Sequence, residues 1–82
     1  MIEEIRVPED LWEGDYEGLV LGWARSDGDV VEQGERLVEL MVEKVQFELT
    51  APASGRLSIL APPETVIRKG QVLGRIEPVA VT

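Results

Sequence analysis

The 82-residue sequence contains no cysteine and no histidine. Without cysteine there are no disulfides and no thiolate chemistry, and without histidine the commonest general base and the usual zinc ligand are missing. The longest apolar runs are far too short to cross a bilayer, and the residues from Met1 to Glu4 do not resemble a signal peptide. We therefore predict a cytoplasmic protein with no membrane contact.

Positive charge is also scarce, since 8 Lys and Arg residues face 16 Asp and Glu residues and the formal net charge is −8. Such a surface repels phosphate groups, so we expect no nucleic acid partner. Only two of the basic residues are lysines, Lys44 and Lys69. A hydrophobic content of 44% in a chain of this length predicts one small globular domain.

The local patterns favour β-structure over helix. No window shows sustained apolar spacing of three and four, and Gly or Pro interrupts the chain throughout. Short runs rich in Val, Ile and Leu, separated by turn residues, predict six strands. These are Ile2–Val7, Leu19–Ala24, Arg36–Val42, Val45–Ala51, Arg56–Ala61 and Val72–Glu77.

The chain repeats itself. The segment "VVEQGERLVEL" from Val30 aligns with "VIRKGQVLGRI" from Val66 at an offset of 36, and Gly18 aligns with Gly55 at an offset of 37. Two half-domains of strands that cannot cover their own apolar faces would pack into a two-fold sandwich or flattened barrel. The segment after the first copy carries Lys44, whereas the segment after the second copy is the end of the chain. Lys44 and the paired termini should therefore lie at opposite ends of the domain.

The stretch "LVELMVEKVQFELTAP" predicts a hairpin with a two-residue turn at Glu43 and Lys44. This register places six apolar residues on one buried face, as the pairs Val42 with Val45, Leu40 with Phe47 and Val38 with Leu49. The other face would carry the pairs Met41 with Gln46, Glu39 with Glu48 and Leu37 with Thr50. A slip of one residue would turn the apolar face toward water, so the register is well specified.

The turn itself is unusual, because tight hairpins favour Asn-Gly or Asp-Gly. One interpretation is that packing holds the register and that Lys44 is an ordinary solvated residue. Lys44 is not expected to act alone as a nucleophile, because an exposed amine beside Glu43 stays protonated. If Lys44 has a function, another protein must modify it.

The sequence resembles the lipoyl domains of 2-oxo acid dehydrogenase complexes. Their modified lysine follows an acidic residue, most often within "ETDKA", and "MVEKV" occupies that place here. Gly34 lies ten residues before Lys44 and Gly55 eleven after it, as the turn glycines of the family do. The runs "EGLVLGWARSDGDVVEQGERL", "APASG" and "KGQVLGRIE" match further parts of the family pattern, so the resemblance covers almost the whole chain.

This resemblance implies an all-β flattened barrel of two four-stranded antiparallel sheets, with the domain over residues 1–79 and a tail at residues 80–82. It implies lipoic acid in amide linkage on Lys44, Glu43 as a residue that the lipoylating enzyme recognises, and Gly34 and Gly55 as turn residues. The partners would be a lipoate ligase or lipoyl transferase, a thiamin-diphosphate 2-oxo acid dehydrogenase, an acyltransferase and a dihydrolipoyl dehydrogenase. The domain would be a carrier and not an enzyme, although a parent protein could be a dihydrolipoyl acyltransferase.

The chain departs from the family pattern at Met41 and Val42, where Glu and Thr are usual. The loop Pro8–Gly18 also differs, and it carries Trp12 and Tyr16 as either loop anchors or partner contacts. In the family this loop lies near the modified lysine and helps partner enzymes to recognise the domain. We expect Trp23 in the core and Lys69 as an ordinary surface residue.

Three alternatives remain. A biotin carrier shares the implied fold, but biotin domains generally read "AMKM" around the lysine. A glycine-cleavage carrier is usually longer and contains helices. An unmodified lipoyl-like assembly module, as in efflux adaptors, normally has a long insertion between its halves.

The "DGD" at residues 27–29 could suggest calcium, but it lacks the rest of an EF-hand loop and predicts a β-turn.

Overall fold

The computed structural model describes residues 2–79 of the chain. In these residues there is no helix of a length and hydrophobicity that could cross a membrane. All of the regular structure is β, as predicted. The eight strands are β1 (Glu3–Arg6), β2 (Gly18–Trp23), β3 (Val30–Val31), β4 (Arg36–Val42), β5 (Val45–Thr50), β6 (Gly55–Ile59), β7 (Val66–Ile67) and β8 (Val72–Glu77).

The strands form two four-stranded antiparallel sheets, in the orders β1-β8-β6-β3 and β5-β4-β2-β7. Replacing each strand by its counterpart in the other half of the chain turns one order into the other. The predicted fold class and pseudo-two-fold symmetry are therefore confirmed. The strands β3 and β7 were not predicted, because two residues are too few to produce an alternating pattern.

The core lies between the sheets and draws on both of them. Its fully buried side chains include Leu37, Leu40 and Ile67 from one sheet and Leu57, Leu73 and Ile76 from the other. Burying one such side chain is worth about 1.5–3 kcal/mol. Because neither sheet can cover its own inner face, the two halves of the chain depend on each other for stability.

The hairpin of β4 and β5 has the predicted turn and nearly the predicted register. The pairs Val42 with Val45, Leu40 with Phe47 and Val38 with Leu49 are all present, as are Met41 with Gln46 and Glu39 with Glu48. The pair of Leu37 with Thr50 is wrong, because a bulge between Arg36 and Val38 turns Leu37 into the core, where it is fully buried. Val45 was expected to be buried but is 54% exposed, since it lies beside the turn.

The open end of this hairpin lies beside the ends of the described chain. The N–H of Gly34, just before β4, donates to the carbonyl of Ala51, just after β5, at 2.9 Å. Val79 borders the same surface groove as Val31 and Gly55. The turn at the other end of the hairpin therefore points away from the first and last described residues, in agreement with the repeat. The tail at residues 80–82 lies outside the described residues.

A second contact at this end involves Gly55, the first residue of β6. A Cβ on Gly55 would lie 2.1 Å from the carbonyl oxygen of Glu77 in β8. The need for glycine here thus comes from the close approach of two strands at the end of the barrel, more than from a turn.

We expect Gly55→Ala to lower the free energy of unfolding by about 2–4 kcal/mol, because β6 and β8 must separate to admit the methyl group. Gly22→Ala is the matched control, since Gly22 also lies on a strand and a Cβ there would meet no heavy atom of a non-adjacent residue within 4 Å. That change should stay within about 0.5 kcal/mol of the parent protein. Urea unfolding followed by tryptophan fluorescence measures both, and equal effects would contradict the close-approach explanation.

The turn that leads into β4 is held by the carboxylate of Glu35. This carboxylate accepts the backbone N–H of Glu32 at 3.2 Å and the guanidinium Nε of Arg25. The hydrogen bond from Glu32 and then that from Arg25 hold the pKa of Glu35 below its usual value. The unfolded chain binds a proton at Glu35 more readily than the folded chain does. The ionised carboxylate therefore stabilises the fold at neutral pH, and this stabilisation is lost as the pH falls through the native pKa of Glu35.

We therefore expect Glu35→Gln to be less stable than the parent protein near neutral pH, and the difference to shrink as the pH falls through the lowered native pKa of Glu35. Chemical denaturation at several pH values measures this dependence. A stability difference that stays constant with pH would show that the charge of Glu35 plays no part.

Candidate functional site

The turn that carries Lys44 has a strained backbone. Glu43 has a φ of +56°, whereas Lys44 is not among the residues with positive φ. A positive φ at the first central residue alone is the pattern of a type II′ turn, in which glycine is preferred at that position. Glutamate there costs about 1–3 kcal/mol of backbone strain. The packing of the strands on either side must therefore hold this turn in place.

The Lys44 side chain projects from a rigid base into solvent. Leu40, Val42 and Leu49 anchor the hairpin below the turn with exposures of 8% or less, whereas Glu43 and Lys44 are both exposed. The ion pairs between side chains of residues 2–79 use arginines as cations, and none involves Lys44. The amine is therefore accessible to an enzyme that approaches from outside.

The loop between β1 and β2 lies against this hairpin through Trp12. The Trp12 side chain is 8% exposed, and its ring centroid lies 6.3 Å from that of Phe47 on β5. Its indole Nε1 donates to the carbonyl oxygen of Tyr16 at 3.1 Å, whereas the Tyr16 side chain is 55% exposed. The sequence left the roles of these two residues open. Trp12 anchors the loop, and Tyr16 is presented to solvent.

The turn between β7 and β8 closes over the other side of this loop. The Nζ atom of Lys69 lies 5.7 Å from the centroid of the Trp12 ring, within the range of a cation–π interaction. Next to it, Arg68 donates from Nε to a carboxylate oxygen of Glu17 at 3.1 Å. The expectation that Lys69 is an ordinary surface residue was therefore wrong. Nothing in the local sequence indicates this contact, because its partners come from opposite ends of the chain.

The other residues singled out in the sequence lie away from Lys44. Gly34 has a φ of +87° in the turn before β4, and Gly55 contacts β8, so both are at the opposite end of the hairpin. Trp23 is half-buried at the edge of the core and donates from Nε1 to the carbonyl of Ala61 at 2.8 Å. These residues support the scaffold and do not line the site.

The "DGD" segment forms a β-turn, as predicted. The Asp29 carboxylate accepts the N–H of Ser26 at 2.9 Å, and the Asp27 carboxylate accepts the N–H of Ile59 at 2.7 Å. No group of acidic side chains among residues 2–79 is arranged to hold a metal ion. Both aspartates thus have structural partners in the backbone.

Comparison with known proteins places the chain in a family. A family model described as biotin-requiring enzyme, of the biotin and lipoyl type, matches residues 2–76. The chain is also 45% identical over 74 residues to the dihydrolipoyllysine-residue succinyltransferase component of the 2-oxoglutarate dehydrogenase complex of Bacillus subtilis. The chain belongs to the biotinyl/lipoyl-attachment family, as a lipoyl domain. This confirms the resemblance drawn from the sequence.

Two more relatives of this lipoyl domain are acyltransferase components. The succinyltransferase component from Escherichia coli is 38% identical over 89% of the chain, and the acetyltransferase component of the pyruvate dehydrogenase complex from Corynebacterium glutamicum is 35% identical over 89%. The lipoyl domain spans 18% of the length of the first and 11% of the second. It thus corresponds to a small part of these proteins.

Solved structures share its fold. The lipoyl domain of the 2-oxoglutarate dehydrogenase complex from Azotobacter vinelandii matches with a TM-score of 0.74 and 26% identity, over 94% of this chain and 98% of that one. A single-chain, multi-domain long-chain acyl-CoA carboxylase matches with a TM-score of 0.73 and 24% identity, over 99% of this chain and 7% of that one. The second likeness shows the fold alone.

The strained turn predicts that a glycine variant at position 43 is more stable than an alanine variant, the reverse of the usual order. Glu43→Gly should be more stable than Glu43→Ala by about 1 kcal/mol, because glycine adopts a positive φ without strain. At Lys44 the order should be the usual one, with Lys44→Gly about 0.5–1 kcal/mol less stable than Lys44→Ala. Thermal or urea unfolding of the four variants tests this, and the same order at both positions would rule out strain at Glu43.

Proposed function

We propose that this lipoyl domain carries lipoic acid in amide linkage on Lys44 and serves as an acyl and electron carrier within a 2-oxo acid dehydrogenase complex. The observation that carries the proposal is the position of Lys44. The lysine that matches the family motif is exposed at the tip of a well-packed hairpin, free of ion pairs among residues 2–79, and at the opposite end of the hairpin from Val79.

The residues at the site fit such a group. An amide bond forms between Nζ and an activated lipoyl carboxyl group, which requires an amine that a ligase can reach and that no carboxylate already holds. Lys44 meets both conditions within the described part of the chain. When bound, lipoic acid would supply a dithiolane that accepts an acyl group and a pair of electrons. The domain itself would catalyse no step, and a parent protein could be an acyltransferase.

The hairpin would control where the attached group begins. The buried side chains of β4 and β5 fix the position of the Lys44 backbone, so the active sites of partner enzymes meet the group at a constant place on the domain. Tethering also raises its effective concentration at each active site. Glu43 is exposed beside Lys44 in a turn with a positive φ, and we assign it a contact with the lipoylating enzyme.

The surface around the site suits several partners in turn. These would be a lipoate ligase or lipoyl transferase, a thiamin-diphosphate 2-oxo acid dehydrogenase, an acyltransferase and a dihydrolipoyl dehydrogenase, all in the cytoplasm. The loop beside the hairpin carries five acidic residues and no basic one between Pro8 and Gly18. Its exposed Tyr16 and its negative charge would select partners with a basic surface near their active-site entrance.

The proposal is tested by intact mass after expression with a lipoylating ligase and lipoate. We expect a mass gain of one lipoyl group, lost in Lys44→Arg and kept in Lys69→Arg, because arginine keeps the charge but is not acylated. Unfolding measurements should show Lys44→Arg within about 0.5 kcal/mol of the parent protein, which separates loss of modification from loss of folding.

The same intact-mass assay distinguishes a lipoyl carrier from a biotin carrier. If a biotin ligase attaches biotin to Lys44 under matching conditions while lipoate is refused, the domain is a biotin carrier. If no ligase attaches either group, the carrier proposal fails and the assembly-module alternative takes its place.

A further inference from the structure

The solvent face of the sheet that carries Lys44 has a row of apolar side chains. Leu19 on β2 lies directly opposite Met41 on β4 and Val66 on β7, so the three side chains follow one another across three strands. Their neighbours along each strand point into the core, which places this apolar row on the outer face. Val66 is 56% exposed, and Leu19 and Met41 are half-buried.

The other sheet provides an internal comparison for the apolar row. At the positions related by the pseudo-two-fold, Arg56 lies opposite both Val30 and Glu77. The valine is retained and is 57% exposed, but a basic and an acidic residue replace the leucine and the methionine. The fold therefore accepts charged residues at these positions. The apolar pair Leu19 and Met41 calls for an explanation other than folding.

Charged residues border the apolar row on both sides. Toward the turn, Glu17 and Arg68 form an ion pair with 3.1 Å between Oε2 and Nε. Away from the turn, Glu39 lies opposite Glu48, and Arg36 contacts Glu48 at 3.2 Å. The row is thus a narrow apolar strip between charged residues, and the half-buried Leu21 follows it on β2.

We infer that the apolar row is a resting site for the uncharged, largely apolar arm attached to Lys44, an inference that rests on the proposed function. Met41 lies three residues before Lys44 on the same hairpin. The row begins about 10 Å along the strand from Lys44 and extends about 10 Å across two strand spacings, so its far end lies about 14 Å away along the diagonal. An extended chain of about a dozen bonds reaches about 14 Å, which matches this span. Because the arm is tethered, its effective concentration near the row is in the millimolar range, so a weak contact is enough to populate the docked state.

The methionine in the row gives a direct probe. The chain has two methionines, Met1 and Met41. With ¹³C-methyl methionine, the lipoylated domain should show a chemical-shift change at the Met41 methyl that exceeds the change at Met1, and nuclear Overhauser contacts from the methylene protons of the arm. Met41→Leu assigns the resonance. A domain with acetyl-lysine at position 44 controls for the loss of charge and should leave the Met41 methyl nearly unshifted.

The pseudo-symmetry supplies a matched pair of variants. Val66→Asn should reduce the shift change at Met41 by roughly threefold, since it removes part of the apolar contact. Val30→Asn makes the same change at an equally exposed valine on the other sheet and should have no effect. Leu19→Arg, which introduces the residue found at the related position 56, should abolish the contacts from the arm.

Each outcome separates this inference from the proposed function. If mass spectrometry shows lipoylation of Lys44 but the Met41 methyl behaves as in the acetylated control, the resting site does not exist and the carrier role stands. If Lys44 accepts no lipoyl group, the proposed function itself fails. If the Met41 shift depends on protein concentration in the unmodified domain, a second copy covers the row and the inference is overturned.

Discussion

The burial of two complementary apolar faces against each other is the constraint on which the rest of this structure depends. Each four-stranded sheet has a buried apolar inner face, and an 82-residue chain has no helix among its described residues to cover either. The two halves of the chain must therefore cover each other, and the pseudo-two-fold follows from their similar patterns. The same packing fixes the register of the β4–β5 hairpin and forces Glu43 into a backbone conformation that it would otherwise avoid.

The features of the proposed attachment site occur where the symmetry is broken. The stretch that follows β8 in one half corresponds to the turn with Lys44 in the other, and the longer first connection places Trp12 and Tyr16 beside the hairpin. The contact that anchors the loop also breaks the symmetry. Lys69 lies over Trp12, whereas its counterpart in the other half is the uncharged Gln33. The symmetric scaffold thus supplies the shared core, and a few residues without a counterpart distinguish the end of the barrel that carries Lys44.

Much of the fold and the position of the candidate lysine could be predicted from the sequence, because strict alternation on β4 and β5 admits one register and the repeat locates the turn. The bulge at Leu37 could not be predicted. A leucine can lie on either face of a strand, and whether this one turns into the core depends on the space between the two sheets. The exposure of Val45 and the contact of Lys69 with Trp12 were missed for a similar reason. Both depend on how distant segments pack near a turn, which local patterns do not record.

The separation between the Lys44 turn and the first and last residues that the structure describes has a practical consequence for handling the molecule. A copy fixed to a surface near Glu3 or Val79 would hold the Lys44 amine on the opposite side, facing bulk liquid, without any change to the intervening strands. Oriented layers of the domain could therefore be prepared by attachment there, with each Lys44 equally open to an incoming enzyme.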